Sequence, residues 1–276
     1  MEEFKLIAVD LDGTLLNSKS NVSDINLSAI KKINDKGIYF VPCSGRTLGE
    51  IPSALTQNPD IHYIIYSNGS TILDKTTGKE IYNCISKATA SKVFDIICDY
   101  DLHITIRQGG NCYVEEGSVT KESIEYFNIC KAHVVVLRDY AIYLKDFSSW
   151  MKTLDNIEVV SVFFHNREDL NKCRERLEKN SGLLVVSVSN YNLEIISVNA
   201  GKGKALLTLA NKLGIDYKNT VAVGDSGNDI PMMKVAGTRI AVSNASEVLK
   251  PFCNLEICSN DEHAIDYILK NYIDKN

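Results

Sequence analysis

Apolar residues follow two different patterns along this chain, and the difference predicts its architecture. Residues 6–9 read Leu-Ile-Ala-Val without a polar break, as expected for a short strand that is covered on both faces. Ser23 and Asp24 can cap a helix that continues to Lys36 and stops at Gly37. The same reading predicts strands at residues 38–41 and 61–66 and a helix at residues 48–56.

The last third of the chain repeats this alternation of strand and helix. Strands are predicted at residues 220–223 and 239–242, and helices at residues 204–213 and 229–235. Strands that alternate with helices imply a mostly parallel sheet with helices on both faces. The two ends of the chain therefore predict one α/β core.

The middle of the chain has a different character. β-branched and aromatic residues dominate residues 103–115, 134–144, 157–164 and 183–196, and amphipathic helical stretches lie at residues 88–100 and 167–179. This pattern predicts an α+β insert with a partly antiparallel sheet. We therefore predict a core domain from residues 1–84 and 190–276, and an inserted domain from residues 85–189.

Composition and charge narrow the functional class. The chain has 276 residues, of which 45% are hydrophobic, and its net charge is −5. This charge does not favour nucleic-acid binding, which needs clustered Lys and Arg. The amino-terminal segment does not resemble a signal peptide, and the longest charge-free stretch has about 14 residues, fewer than the roughly 18 that a membrane span needs. We therefore expect no nucleic-acid or membrane partner and a cytoplasmic location.

Polar side chains come directly after the predicted core strands. These residues are Asp10, Ser44, Asn68, Asp225 and Asn244. In open α/β sheets, ligands bind outside the carboxyl ends of the strands. The sequence therefore predicts that these side chains surround one crevice.

The sharpest feature is the segment Asp10-Leu11-Asp12-Gly13-Thr14. An apolar strand delivers two carboxylates to its carboxyl end, and Gly13 permits a tight turn after them. One carboxylate can attack phosphorus, and the other can manage a proton. A solvated turn after a strand is the alternative reading of this segment.

The sequence VDLDGTLLNS resembles the first motif of the haloacid dehalogenase (HAD) superfamily of phosphotransferases. The remaining motifs resemble those of its Cof-type phosphatase branch over nearly the full chain, although the likeness is weak in the insert. The resemblance implies a Rossmann-like parallel-sheet core with an inserted α+β cap domain of the C2 type. It also implies Mg²⁺ as the cofactor.

Residue roles follow from the same resemblance. Asp10 corresponds to the nucleophile, which is also a magnesium ligand. Asp12 corresponds to the acid–base residue, and its backbone carbonyl would also bind the metal. Lys202, in Gly201-Lys202-Gly203, corresponds to the cation that pairs with the nucleophile and the phosphoryl group. Lys202 is preferred to Lys204 because it directly precedes Gly203 at a predicted helix start.

The other two motifs supply the remaining site residues. Ser44, Gly45 and Arg46 resemble the second motif, which binds phosphate, and a capped helix start is their alternative reading. In Gly224-Asp225-Ser226-Gly227-Asn228-Asp229, the resemblance makes Asp225 and Asp229 metal residues and Asn228 a phosphate contact. Asp229 can reach the metal directly or through water. A calcium-binding EF-hand loop does not fit, because the run lacks the Glu at the twelfth position.

These observations predict a magnesium-dependent phosphatase that hydrolyses small phosphorylated metabolites, sugar phosphates foremost, through a phosphorylated aspartate. Two alternatives stay open from the sequence. A sugar phosphomutase would use the same scaffold, and a non-catalytic sugar-phosphate-binding module would not need an acid–base Asp.

Overall fold

The computed structural model describes residues 3–187 and 189–275, with every side chain in these ranges except that of Ala132. The described chain forms two compact units. Unit 1 takes in the chain up to Arg46, Ile51–Ile81 and the chain from Gly201 onward, and unit 2 takes in Thr47–Glu50 and Tyr82–Ala200. Within the described ranges, no helix combines the length and the apolar character that a bilayer crossing requires.

Unit 1 is built on a parallel sheet of five strands in the order β14-β13-β12-β1-β2. A smaller sheet, β3-β4-β5, lies beside it, and Cys43 bridges to Ile65 in parallel. The elements of unit 1 are β1 (Leu6–Val9), α1 (Asp24–Asp35), β2 (Tyr39–Pro42), α2 (Ser53–Thr56), β3 (Tyr63–Tyr66), β4 (Thr71–Asp74), β5 (Lys79–Tyr82, whose last residue belongs to unit 2), α8 (Lys202–Leu213), β12 (Thr220–Gly224), α9 (Ile230–Met233), β13 (Thr238–Val242), β14 (Leu255–Ile257) and α10 (Ala264–Ile268), which continues as a π-helix (Leu269–Ile273).

The parallel sheet confirms the predicted α/β core. All four residues of β1 are buried, as the unbroken apolar run requires. Ser23 caps α1, because its side chain accepts a hydrogen bond from the Asn26 N–H. The single helix predicted at residues 48–56 is wrong: a 3₁₀ turn (Leu48–Glu50) and α2 replace it. Pro52 lies between them as the N-cap of α2, and its ring and missing N–H oppose a continuous helix.

Unit 2 contains a mixed sheet of six strands in the order β10-β11-β9-β6-β7-β8, in which β7 and β8 are parallel and the other pairs are antiparallel. Helices α3 and α7 and the inward side chains of β9 and β11 form its main apolar core. Its elements are α3 (Lys87–Ile97), β6 (Leu102–Gln108), β7 (Asn111–Glu115), α4 (Lys121–Tyr126), α5 (Lys131–Asp139), β8 (Ala141–Leu144), α6 (Phe147–Met151), β9 (Val159–Phe164), α7 (Arg167–Glu178), β10 (Leu183–Val186) and β11 (Asn192–Ser197).

One predicted β segment of unit 2 is wrong over most of its length. Residues 134–144 contain a run of valines, yet only β8 is a strand and the preceding residues form α5. Val134 and Leu137 are three residues apart, so they share one helix face. Both belong to an apolar cluster with Val114 and Phe163. Burial of this face against the sheet overrides the β propensity of the valines.

Candidate active site

The carboxyl ends of two neighbouring strands carry the acidic residues of the site. Asp10 follows β1 and Asp225 follows β12, and these strands pair in parallel. Lys202 is the first residue of α8, directly after Gly201. The chain therefore brings three sequence-distant motifs to one edge of the sheet, as the rule for parallel sheets predicts.

Lys202 joins two of the carboxylates. Its Nζ donates to Asp10 Oδ1 at 2.5 Å and to Asp229 Oδ1 at 2.7 Å. All three side chains are buried, with 4% of Asp10, 2% of Lys202 and 0% of Asp229 exposed. Burial strengthens charge-assisted hydrogen bonds, so this arrangement holds Lys202 and Asp10 firmly in place. Lys204, by contrast, is exposed on the same helix.

Asp229 has partners at both of its carboxylate oxygens. While Oδ1 accepts from Lys202, Oδ2 accepts the backbone N–H groups of Asp225 and Ser226, each at 3.1 Å. A residue that is tied to three donors is well placed to orient its neighbours. Asp225 itself is less enclosed, and its Oδ1 accepts from the Thr14 hydroxyl at 3.2 Å.

The electrostatics of the site reflect an excess of negative charge. Burial, together with the nearby Asp229 and Asp225, raises the pKa of Asp10 to about 8, although Lys202 opposes the shift. Burial and Asp229 also raise the pKa of Asp225. Although burial lowers it, the pKa of Lys202 lies above its ordinary value because Asp10 and Asp229 favour the ammonium. Lys202 is therefore charged, and the carboxylates around it repel one another.

The donor set fits a divalent cation. Asp10, Asp225 and Asp229 each offer an oxygen, and these oxygens lie within 4.8 Å of one another. When all are ionised, three carboxylates and one ammonium leave two net negative charges, which one divalent ion would balance. Hard oxygen donors are the ligands that Mg²⁺ and similar ions prefer. The two freer carboxylates, Asp10 and Asp225, suit direct coordination better than Asp229, whose oxygens are already bound.

The side chain of Asp12 lies apart from this acidic cluster and is bound by Arg46. The Arg46 Nε donates to Asp12 Oδ2 at 2.9 Å, and a terminal guanidinium nitrogen donates to Asp12 Oδ1 at 2.6 Å. This is a two-bond arginine–carboxylate pair, which fixes direction as well as distance. Asp12 is more exposed than Arg46, with side-chain exposures of 57% and 22%. Arg46, predicted as a phosphate contact, thus holds the predicted acid–base residue.

The other predicted phosphate residues lie in two separate turns of unit 1. Ser44 is buried, and its hydroxyl oxygen accepts the Arg46 N–H at 3.1 Å. Gly45 lets the Asn68 side chain approach closely, because a Cβ on Gly45 would lie 2.9 Å from Asn68 Oδ1. Asn228 is exposed, and its Oδ1 accepts the Ser226 hydroxyl at 2.7 Å.

Two supporting contacts were not assigned from the sequence. The Thr14 hydroxyl binds Asp225, and Asn244 Nδ2 donates to the Gly13 carbonyl at 2.7 Å. Gly13 has a φ of +78°, and a Cβ there would lie 2.7 Å from Asp225 Oδ2. The turn after Asp12 is therefore built against Asp225. The strand-end position of Asn244 was the available signal for its part in the site.

Comparison with known proteins shows the family. The sequence model of the protein family described as haloacid dehalogenase-like hydrolases matches residues 7–269 of this chain. The chain belongs to the haloacid dehalogenase-like hydrolase family. Hydrolases of this family generally use a divalent metal, which agrees with the acidic cluster of this chain.

Individual members of the HAD family resemble this chain over almost its full length. Phosphatase YwpJ of Bacillus subtilis is 29% identical, and the match covers 98% of this chain and 100% of the relative. The 5-amino-6-(5-phospho-D-ribitylamino)uracil phosphatase YwtE of the same organism is 30% identical, with 96% of each chain covered. A solved HAD-like hydrolase from B. subtilis is 29% identical, covers 98% of this chain and 100% of its own, and superposes with a TM-score of 0.78. These relatives support the predicted fold and the predicted enzyme class, a phosphatase.

Proposed function

We propose that this HAD-family chain is a Mg²⁺-dependent phosphatase that hydrolyses small phosphorylated metabolites through a phosphorylated Asp10. The observation that carries the proposal is the buried contact of Lys202 with both Asp10 and Asp229. A structural ion pair would not need a third carboxylate, Asp225, within reach of the same point. A site that transfers a phosphoryl group needs a nucleophile, a fixed cation and a metal position together.

Asp10 is the proposed nucleophile. Its Oδ1 accepts a hydrogen bond from Lys202, so the carboxylate is held next to the ammonium. The ammonium lies where it can also attract a phosphoryl oxygen, and a fixed cation of this kind stabilises charge that develops in the transition state. The two carboxylates proposed to hold Mg²⁺ are Asp10 and Asp225, with Asp229 as their support. The bound ion would neutralise the repulsion between Asp10 and the phosphate and polarise the phosphoryl oxygens.

Asp12 is the proposed acid and base. In the first step it gives a proton to the leaving oxygen as the bond from that oxygen to phosphorus breaks and the bond from Asp10 to phosphorus forms. In the second step it takes a proton from the water that attacks the aspartyl phosphate, and Asp10 is released. Such proton transfer contributes a factor of about 10²–10⁴ to the rate. The exposure of Asp12 supports this role, because its carboxylate can meet both an alcohol and water.

The proposed substrates are phosphate esters of sugars and sugar alcohols. Two relatives at 30% and 28% identity are phosphatases of a ribitylamino-uracil phosphate, in which the phosphate is carried by a polyol chain. The acidic pI of about 5.6 also agrees with a small ligand rather than a nucleic acid. A phosphorylated polyol is therefore the first substrate class to test.

The decisive experiment compares wild-type protein with Asp10→Asn on a panel of phosphorylated sugars, polyols and nucleotides, with Mg²⁺ and with EDTA. Asp10→Asn is nearly isosteric but has no anionic nucleophile. We expect it to fold normally and to lose at least about 10⁴-fold in kcat, as removal of a covalent nucleophile does in other enzymes. Wild-type protein should release phosphate only with the metal.

A rapid acid quench with ³²P-labelled substrate tests the intermediate directly. Label should be trapped on residue 10 in wild-type protein and should be absent from Asp10→Asn. Full turnover by the asparagine variant would refute the proposal. Isomerised sugar phosphate without released phosphate would instead identify a mutase, and ligand binding without turnover would identify a binding module.

A further inference from the structure

The chain passes between the two units at four places, and two of them flank a very short segment. Unit 1 ends at Arg46, Thr47–Glu50 belongs to unit 2, and the chain returns to unit 1 at Ile51. The other two junctions bound the long insert, Tyr82–Ala200. The short segment starts directly after the residue that binds Asp12.

Thr47–Glu50 is attached to the sheet of unit 2 by backbone and side-chain contacts. The Gly49 N–H donates to the Gly110 carbonyl at 3.0 Å, at the turn between β6 and β7. Leu48 lies against the same turn, because a Cβ on Gly110 would be 2.7 Å from Leu48 Cβ. Gly110 is in turn fixed by its own N–H, which donates to Glu158 Oε1 at 2.8 Å.

Glu50 closes the segment and extends its attachment. Its Oε2 accepts the Thr47 N–H at 3.1 Å, and 5% of the residue is exposed. The charge of Glu50 also acts on Arg107. Burial by itself lowers the pKa of Arg107, but the carboxylates of Glu194 and Glu50 raise it above its ordinary value. The segment is thus a compact loop held by the sheet of unit 2 through hydrogen bonds, packing and charge.

Arg46 is held from the other side by unit 1. Its N–H donates to the Ser44 hydroxyl oxygen, and its carbonyl accepts the Ser67 N–H at 2.8 Å. Its guanidinium makes both bonds to Asp12. One peptide bond therefore separates a residue anchored in unit 2 from the residue that orients Asp12.

We propose that Thr47–Glu50 is a strap through which unit 2 sets the position of Arg46, and that Arg46 is a positioning residue for Asp12 in proton transfer to the leaving group. The inference rests on the proposed function of Asp12. To hold a proton for the leaving oxygen, one oxygen of Asp12 must separate from Arg46, while the other can stay bound. Because a peptide bond joins Thr47 to Arg46, a shift of Thr47 moves the Arg46 backbone. This movement controls whether the Arg46 guanidinium makes two hydrogen bonds to Asp12 or only one.

The test uses two substrates that differ in their need for an acid. p-Nitrophenolate leaves readily without a proton, whereas phenolate is far more basic, so phenyl phosphate depends on Asp12. The first variant is Gly110→Ala, which pushes on Leu48 from unit 2. We expect kcat/KM for phenyl phosphate to fall about tenfold, part of the roughly 10²–10⁴ that a general acid supplies, and kcat/KM for p-nitrophenyl phosphate to change less than about twofold.

Gly109→Ala is the matched control. Gly109 is in the same turn and also has a positive φ, +56°, but a Cβ there would have nothing within 4 Å. It therefore introduces the same backbone strain without touching the strap, and both substrates should keep their wild-type kcat/KM within about twofold. Glu50→Ala loosens the strap from its other end and should reproduce the selective loss if Gly110→Ala does not fold.

The outcomes distinguish the proposed role of the strap from the proposed acid role of Asp12. Asp12→Asn should show the same selectivity with a larger loss. If Asp12→Asn is selective but Gly110→Ala and Glu50→Ala affect both substrates equally or not at all, the strap is refuted and the proposed function stands. If Asp12→Asn itself shows no selectivity, the acid role in the proposed function fails.

Discussion

At the scale of single residues, the buried Asp229 holds other residues of the site in position. This carboxylate accepts three hydrogen bonds, one from Lys202 and two from the turn that carries Asp225. It therefore fixes both the ammonium and one of the proposed metal ligands. Residues that orient metal ligands commonly change metal affinity or activity by 10–100-fold when they are lost.

Gly224→Ala tests this dependence. A Cβ at Gly224 would lie 2.6 Å from Asp229 Oδ2, so the alanine must displace the carboxylate. We expect kcat/KM to fall by at least about tenfold and the Mg²⁺ concentration for half-maximal activity to rise, as for other groups that orient metal ligands. Phosphate release against Mg²⁺ concentration measures both.

Gly227→Ala is the control for the same motif. Gly227 is exposed, and a Cβ there would have nothing within 4 Å. Its activity should stay within about twofold of wild type, as for a surface change that touches nothing. Equal loss in both variants would mean that the motif is sensitive to any side chain and that Asp229 is not the cause.

The sequence predicts the members of the site better than their contacts. Asp10, Lys202, Asp225 and Asp229 can be named because each stands in a short motif at the end of a strand or the start of a helix. The pairing of Arg46 with Asp12 cannot be read in this way. Long side chains reach in many directions, and only the fold decides which carboxylate a guanidinium meets. The roles of these residues stay predictions until the variants are measured.

At the scale of elements, helix α8 is positioned by a contact that permits no side chain. Gly203 follows Lys202, and a Cβ there would lie 2.1 Å from the Pro231 carbonyl oxygen at the start of α9. The two helices thus meet backbone to backbone. Because Lys202 directly precedes Gly203, we expect this contact to influence the position of Lys202 next to Asp10.

Gly203→Ala should therefore affect both stability and activity. Separation of α8 from α9 should reduce the free energy of unfolding by about 1–3 kcal/mol, typical of overpacking, and should shift Lys202. Thermal unfolding and phosphate release measure the two effects. Asn211→Ala, at an exposed position of the same helix, should leave both unchanged or slightly improve stability. Wild-type kcat in a folded Gly203→Ala protein would contradict the positioning argument.

The elements also show where local patterns fail. The strands β1 and β12 are predictable because both of their faces are buried. A short, unbroken apolar run is the pattern expected for such a strand. The helical structure of the valines in α5 is not predictable in this way. Their β propensity is worth less free energy than the burial of Val134 and Leu137 against Phe163. The attachment of Gly49 to Gly110 is a backbone hydrogen bond, which leaves no signature in the side chains.

At the scale of the whole molecule, unit 2 carries two buried histidines that should make its stability depend on pH. Burial lowers the pKa of His103 to about 4. Burial, with help from Arg107 and His103, lowers the pKa of His133 to about 3. Both histidines are thus neutral in the folded state, but in an unfolded chain they take up protons near pH 6.5. The contribution of these two histidines to the free energy of unfolding is therefore present above pH 6.5. It is lost as the pH falls toward their folded-state pKa values.

His133→Gln tests this dependence. Between pH 6.5 and pH 5, a histidine that stays neutral should cost the folded state about 2 kcal/mol, so the free energy of unfolding of wild type should fall by about 2 kcal/mol more than that of the variant. Urea unfolding followed by the fluorescence of Trp150 reports on unit 2, because this single tryptophan contacts Tyr113 there with ring centroids 4.6 Å apart. An identical loss in both proteins would exclude His133 as a source.

The route of the chain through the two units also limits how this protein can be recombined with its relatives. A graft of residues 82–200 onto another core would carry the long insert but would leave behind Thr47–Glu50, which belongs to the same compact body. The foreign core would then present its own loop to the turn at Gly110. Hybrid enzymes made from this chain should therefore exchange both segments together, because the insert is discontinuous in sequence.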